Sequence, residues 1–255
     1  MNLQDVTPLI LTKNEEPNIQ RCLDRLRWAQ KVIVLDSAST DSTKDIAMAF
    51  PNVSFLTRHF DDHTSQWNHG LDAVQTPWVL SLDCDYVLGD GFEQELAQLP
   101  AQPEVDAYFS AFRYLIFGKP LRASLYPPRA TLFSKDRCRY QADGHTQLLH
   151  VPGPTGTLTT RIDHDDRKPL SRWIVSQDNY AKLEAAKLLA SDKENLRVQD
   201  RLRLTGWAAV PATLIYTLIV KRTLLDGWHG WFYSLQRTFA EILLAMRLLE
   251  KRLDP

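Results

Sequence analysis

The chain has 255 residues, enough to bury a full core as one large domain or as a domain with an appendage. Its composition, 44% hydrophobic and 24% charged, excludes a disordered or fibrous chain. The net charge of −1 hides an asymmetry: residues 1–164 carry 15 Lys+Arg against 20 Asp+Glu, and residues 165–255 carry 15 against 11.

An acidic front half suits a metal or small-molecule site. The basic back half alternates its charges with aromatic and aliphatic blocks, which suits anionic lipid and argues against nucleic acid. The three cysteines, Cys22, Cys84 and Cys138, are few, odd in number and far apart, so a reducing compartment is expected. Residues 1–5 lack a basic stretch followed by an apolar run, and no secretory signal is expected. No segment reaches the ~18 uncharged apolar residues of a membrane-spanning helix; the nearest, 207–220, is short and interrupted by Pro211.

In chain order, residues 6–11 form an apolar run ending at the polar turn 12–16. Ile19, Cys22, Leu23, Leu26 and Ala29 then recur at helical spacing. The β-branched run 31–35 predicts a buried strand that stops at Asp36. Asp41 is placed to cap a helix carrying Ile46, Ala47 and Phe50. A third strand is expected over 53–57, a helix over 66–74, and a fourth strand over 78–82 running into Asp83. Strands alternating with helices imply parallel βαβ units covered on both faces. Residues 105–164 are irregular and aromatic-rich and predict mixed strands completing the same domain. A helix is expected from about Pro169. Two apolar, aromatic-rich helical stretches follow, 207–220 and 228–249, separated by Lys221-Arg222 and Asp226-Gly227.

Ligands of such sheets sit beyond the carboxyl ends of the strands. Asp36 and Asp83 each follow an apolar strand, so two strands deliver carboxylates to one edge. In extended backbone, Asp83 and Asp85 point to the same side while Cys84 faces the sheet. Paired carboxylates with no nearby Cys or His ligand favour a hard divalent cation, Mg²⁺ or Mn²⁺, of the kind that bridges nucleotide phosphates. His59, His63 and His69 form no coherent face. Arg113, Lys119, Arg122 and Arg129 lie where an anionic acceptor could be held.

Three segments, LTKNEEPNI, VIVLDSASTDST and WVLSLDCDYVL, agree in order, spacing and strand context. Together they resemble the nucleotide-sugar-binding half of family 2 glycosyltransferases with the GT-A fold, a Rossmann-like, mostly parallel sheet with helices on both faces. The resemblance implies that Thr12, Asn14 and Glu15 line the donor pocket. It implies that Asp36 accepts a hydrogen bond from the base and that Ser37 and Ser39 approach the ribose. Asp83 would contact ribose or metal, and Asp85 would bind the metal directly. Gln66 and Asn68 match the family's Gln-x-Asn before the fourth strand, with Trp67 where a basic residue is usual. His164, at the end of the catalytic domain, matches a further metal or diphosphate ligand. Related lipopolysaccharide-core transferases carry a His-Glu pair near residue 145; this chain reads Asp143-Gly144-His145-Thr146, leaving Asp143 as first and His145 as second candidate for the catalytic base.

The pattern HDDRKPLSRW…YAKLEA, with LDGWHG and the helix ending in Glu250, resembles the lipopolysaccharide-core β-glucosyltransferase-like branch. The expectation is a GT-A catalytic domain over 1–164 and a helical, amphipathic membrane-associating region over 165–255. The chain would lie at the cytoplasmic face of the cell membrane as a peripheral or monotopic protein of envelope lipopolysaccharide biosynthesis. Its reaction would be inverting transfer of a hexose from a UDP-sugar to a lipid-linked or lipopolysaccharide-core acceptor. Rival readings are a polyprenyl-phosphate glycosyltransferase and a catalytically inactive nucleotide-sugar-binding membrane protein. Oligomeric state is left open.

Overall fold

Val6–Thr12 forms β1, the strand on which the first unit is built, with Val32–Asp36 (β2) and Val53–Thr57 (β3) parallel on one side. Trp78–Asp83 (β4) runs parallel on the other. The computed structural model describes residues 1–143, 146–192 and 196–253. By their contacts they form two units: Met1–Leu115 with Tyr126–Arg167, and Ile116–Leu125 with Lys168–Pro255. The first unit closes at Arg167, and the ten residues from Ile116 to Leu125 group with the C-terminal helices.

In the first unit, β1 and β2 are apolar on both faces because helices cover both. Ile10, Val32, Val34, Leu80 and Leu82 face Ile19–Asp24 (α1), Thr43–Met48 (α2) and, after β5 (Tyr86–Leu88), Phe92–Gln98 (α4). Leu9, Ile33 and Val79 face His63–Ala73 (α3) through Trp67 and Leu71. Strands buried on both sides read as continuous apolar runs, which is why residues 32–35 show no alternation. The helical spacing of 19–29 yields only six α-helical residues. Beyond Asp24 the chain continues in i→i+3 turns that keep Leu26 and Ala29 on the same buried side. The second helix starts at Thr43 behind Ser42, and Asp41 still accepts from the Thr43 amide at 3.1 Å.

The irregular stretch is indeed strand-rich: β6 (Ala107–Ile116), β8 (Arg129–Ser134) and β11 (Thr155–His164) extend the sheet, while β9 (Arg139–Asp143) and β10 (Thr146–His150) make a separate antiparallel pair. The strand order is β3-β2-β1-β4-β8-β6-β11-β5. Strand β8 is antiparallel to both β4 and β6, and β5 pairs antiparallel with β11.

Among the described residues, the second unit contains the two-residue strand β7 (Lys119–Pro120) and four α-helices: α5 (Leu170–Ala190), α6 (Val198–Arg203), α7 (Ala209–Ile215) and α8 (Trp228–Leu253). Helices α5 and α8 share a small apolar core of Ala181, Ala185, Leu188, Leu244 and Leu248. Arg203 joins Glu241 at 2.7 Å and Arg247 joins Asp178 at 2.7 Å beside it. No helix of the described residues is long and apolar enough to cross a membrane.

Candidate active site

Sheet register sets the site. Thr12 lies opposite Asp36, and Leu11 lies opposite Asp83, so the ends of β1, β2 and β4 form one row at the carboxyl edge. Strands stand about 4.8 Å apart, which puts Asp36 and Asp83 about 10 Å apart across β1.

Asp36 is buried and organises the loop after β2. Its Oδ1 accepts from Thr12 Oγ1 at 2.8 Å and Ser39 Oγ at 2.5 Å; its Oδ2 accepts from the Ser39 amide at 2.7 Å. The loop after β1 is tied to it. Asn14 donates its amide to Ser39 Oγ at 2.7 Å and accepts from the Thr40 amide at 2.7 Å. Asn14 and Ala38 both adopt positive φ, 54° and 59°. Asn tolerates this conformation, whereas Ala38 must be held there, since the left-handed region costs an L-residue about 1–2 kcal/mol. Lys13 supplies part of that hold, donating to the carbonyls of Ser37 at 2.9 Å and Ala38 at 2.5 Å.

Glu15 is buried, donates its amide to Thr43 Oγ1 at 2.7 Å, and accepts from Asn18 Nδ2 at 2.9 Å. The same Asn18 amide donates to Asp166 Oδ1 at 3.0 Å. Asp165, also buried, pairs with Arg21 at 2.8 Å and Arg167 at 2.8 Å, and its amide donates to the Asp85 carbonyl at 3.0 Å. Residues after β11 are thereby fastened to both the first loop and the Asp83-Cys84-Asp85 turn.

That turn departs from the extended reading. Asp83 ends β4, Cys84 and Asp85 form a turn, and β5 leaves to pair with β11. The chain must reverse there because β5 joins the opposite side of the sheet. Cys84 nonetheless faces the core. Behind it, burial pushes the Cys22 thiol up, and the charges of Asp85, Glu15 and Asp83 push it further, so one thiol senses all three carboxylates.

His164 lies opposite Tyr86 in the β11–β5 register, and its Nε2 is 3.1 Å from Asp85 Oδ2. Its Nδ1 is buried without a hydrogen-bond partner. Three tyrosines meet the imidazole edge-on: Tyr126 at 4.5 Å, Tyr114 at 4.6 Å and Tyr86 at 5.4 Å between ring centroids. The Tyr86 and Tyr126 hydroxyls bond to each other. Burial, then the Asp83 charge, raises both phenols, so both stay protonated; the Arg129 guanidinium, 4.9 Å over the Tyr126 ring, opposes the rise. The Asp83 charge also acts on the Arg129 guanidinium, after those of the two phenols.

Gln66 donates to Ser37 Oγ at 3.0 Å and accepts from Arg58 at 2.6 Å, anchoring α3 to the second loop. Asn68 exchanges two hydrogen bonds with the backbone of Tyr140, at 3.0 and 3.1 Å, and holds β9 against α3. Trp67 stacks on Tyr140 at 5.1 Å inside the core, which explains why no basic residue stands there. Arg113 makes a bidentate pair with Asp163, and Arg122 pairs with Asp226 at 3.2 Å. Among the described residues Arg129 makes no ion pair, which leaves its charge available. His145 lies outside the described residues, as does the side chain of Asp143, whose backbone ends β9.

Sequence reasoning missed Lys13, Asn18, Arg21, Thr43 and Asp165, which support the loops, and the tyrosine cage of His164. The alternation of Phe112 and Tyr114 along β6 was the available signal for the cage. Among the described residues no three His, Cys, Asp or Glu side chains form a metal cluster by themselves. Asp85 and His164 still fit as two ligands of one cation. Ligand atoms about 2.1 Å from a metal and at right angles lie about 3.0 Å apart, close to the separation seen.

Comparison with known proteins gives a concordant result. The profile of Glycosyl transferase family 2 matches residues 9–162. The lipopolysaccharide core biosynthesis glycosyltransferase LpsC of Rhizobium meliloti is 22% identical over 197 residues, 74% of this chain and 73% of LpsC. An uncharacterized glycosyltransferase of Rickettsia bellii is 20% identical over 98% of this chain and 87% of its own length. Among solved structures, TarS of S. aureus in complex with UDP-GlcNAc superposes with a TM-score of 0.55 at 13% identity, covering 98% of this chain and 92% of that one. The mannosyltransferase PcManGT of Pyrobaculum calidifontis, with GDP-Man and Mn²⁺, gives 0.54 at 17% identity, covering 98% and 87%. These neighbours share the chain's GT-A fold, and with more than half of its length matched the chain belongs to glycosyl transferase family 2.

Proposed function

We propose that this glycosyltransferase moves a hexose, with inversion, from a UDP-sugar to a hydroxyl or phosphate of a lipid-linked or lipopolysaccharide-core acceptor. It would act at the cytoplasmic face of the cell membrane, with its C-terminal helices against the lipid. The observation that carries the donor assignment is the row of strand ends bearing Thr12, Asp36 and Asp83, continued by the Asp85–His164 pair. Asp36 has acceptor capacity left on Oδ2 for a base N–H, with Ser37 and Ser39 following it in the same loop. Asp85 and His164 would hold a divalent cation together with the donor's phosphates, Asp83 would meet the ribose or the metal, and the imidazole nitrogen favours Mn²⁺ over Mg²⁺. Such a cation neutralises charge on the departing diphosphate. Arg129 adds a second positive charge on the same side. Asp143, or failing it His145, would take the proton from an acceptor hydroxyl as it attacks the anomeric carbon from the face opposite the leaving group.

Support comes from the relatives: LpsC is named for lipopolysaccharide core biosynthesis, TarS binds UDP-GlcNAc, and PcManGT binds GDP-Man with Mn²⁺. The test is calorimetric titration of UDP with and without Mn²⁺, on the natural chain and on Asp85→Ala. The expected result is Mn²⁺-dependent binding that weakens at least about tenfold in the variant, since even the loss of a partner behind a metal ligand costs about that much. Undiminished metal-dependent binding by Asp85→Ala would overturn the metal assignment, and absence of UDP binding by the natural chain would overturn the donor.

A further inference from the structure

The polarity of the second unit reverses along α8. Its C-terminal half buries Leu244 and Leu248, as an ordinary water-soluble helix does, but its N-terminal half buries Gly230, Ser234 and Thr238 together with a single large side chain, Tyr233. Opposite them, the chain after α7 passes through a single wide turn, Tyr216–Val220, and a short 3-10 turn, Thr223–Asp226. Here the buried side chains are two threonines, Thr217 and Thr223, beside Leu218 and Asp226. Thr223 Oγ1 donates to the Thr217 carbonyl at 2.9 Å and lies 2.9 Å from Ser234 Oγ; Thr217 donates to the Thr213 carbonyl at 2.8 Å, and Thr238 to the Ser234 carbonyl at 2.8 Å. Gly230 is packed so closely that a Cβ there would overlap the Thr223 carbonyl oxygen. Outside stand Ile215, Ile219, Val220, Leu224, Leu225 and Trp228, all exposed, Val220 at 61% and Trp228 at 85%.

Hydroxyls and glycine inside with aliphatic side chains outside is how helices associate when the surrounding solvent is hydrocarbon. Water would reward the opposite arrangement. Tyr233 is turned inward, Trp231 and Phe232 are half-buried, and exposed apolar side chains are densest at the connection between α7 and α8.

We infer that the tip 215–228 inserts as a wedge into one leaflet of an anionic bilayer. This deepens the membrane part of the functional reading and rests on it. Length agrees: the twelve residues of α7 and its wide turn span about 18 Å at about 1.5 Å each, short of the ~30 Å hydrocarbon core. Charge agrees as well. The second unit carries 16 Lys+Arg against 9 Asp+Glu, and the first carries 14 against 22. At the tip, Lys221 and Arg222 lie beside the apolar side chains, Lys221 over the Tyr216 ring at 5.7 Å, where long cationic chains reach headgroup phosphates. The one acid between residues 204 and 240, Asp226, is buried and neutralised by Arg122.

The experiment is vesicle flotation of the full chain on phosphatidylcholine with and without 30 mol% phosphatidylglycerol (about one anionic lipid in three), read beside tryptophan fluorescence with bromine-labelled lipids. The expected result is flotation with the anionic vesicles, a blue-shifted and quenched emission that Trp228→Phe removes, and at least an about tenfold loss of partitioning in Val220→Asp. UDP binding and thermal unfolding of Val220→Asp should match the natural chain, which separates failure of the wedge from failure of the donor site. Equal binding to neutral vesicles would overturn the anionic assignment. No flotation, equal flotation of Val220→Asp, or a dimer in light scattering that Val220→Asp dissociates would overturn the wedge itself, the last by showing that a second copy covers the tip.

Discussion

Replacing Asp36 by Asn tests the argument about the donor loops most directly, because it changes one atom in a site 3% exposed. The carboxylate receives two hydroxyls on Oδ1 and one amide on Oδ2. If the new amide oxygen keeps Oδ1's place, its NH₂ confronts the Ser39 N–H, donor against donor. If it flips, the NH₂ confronts the hydroxyls of Thr12 and Ser39, and Ser39 Oγ already accepts from the Asn14 amide. Either orientation loses one charge-assisted hydrogen bond and leaves a donor unsatisfied, about 2–3 kcal/mol together. Loosening the clamp also frees Ala38 from its left-handed conformation, so the loop should drift from its binding geometry. The expected outcome is a urea-unfolding stability lower by about 2–3 kcal/mol, with UDP affinity falling at least about tenfold beyond any unfolding. A variant within ~0.5 kcal/mol of the natural chain, the scatter expected of a surface substitution, would refute the account.

Two further outcomes follow from buried groups. Asp165→Asn leaves two guanidinium groups around a neutral amide; a broken buried pair costs about 3–5 kcal/mol, and solvent reaching Arg21 and Arg167 reduces this to about 2 kcal/mol. Denaturant midpoints measure it, and an unchanged midpoint would refute it. At alkaline pH, the phenols of Tyr86 and Tyr140 titrate higher in the folded chain than in the unfolded one, so folding binds protons and stability is lost as pH rises above the unfolded pKa of about 10. Each phenol should remove about 1.4 kcal/mol per pH unit in that window. Thermal unfolding at pH 8, 10 and 11 should show the decline, with tyrosinate absorbance lagging behind free tyrosine; full ionisation near pH 10 in a still-folded chain would contradict the burial.

Much of this was legible beforehand for a physical reason. Strands buried on both faces must be continuously apolar, so residues 32–35 and 78–82 announced themselves, and an aspartate at the end of each such strand points to the ligand edge. The three loop motifs were local in sequence and could be read together. The support beneath them was not, because it joins residues far apart: Asn18 to Asp166, Arg21 to Asp165, and Asp85 to His164. A lone Asn or Arg has no pattern until the fold supplies its partner. The same holds for Asn68, whose spacing matched a motif, and for Trp67, which departed from it: both side chains meet Tyr140 of β9.

The sequence by itself determined the parallel α/β half, the strand-end carboxylates and the basic, aromatic character of the C-terminal region, since each is written in periodicity or composition. Only the tertiary structure decided that Asp85 turns toward His164, that three tyrosines enclose that imidazole, and that Thr217, Thr223 and Ser234 face inward while Val220 and Trp228 face out. Which side of a short, uncapped helix is inside depends on what packs against it, and hydrophobic pattern alone gives the expectation for water.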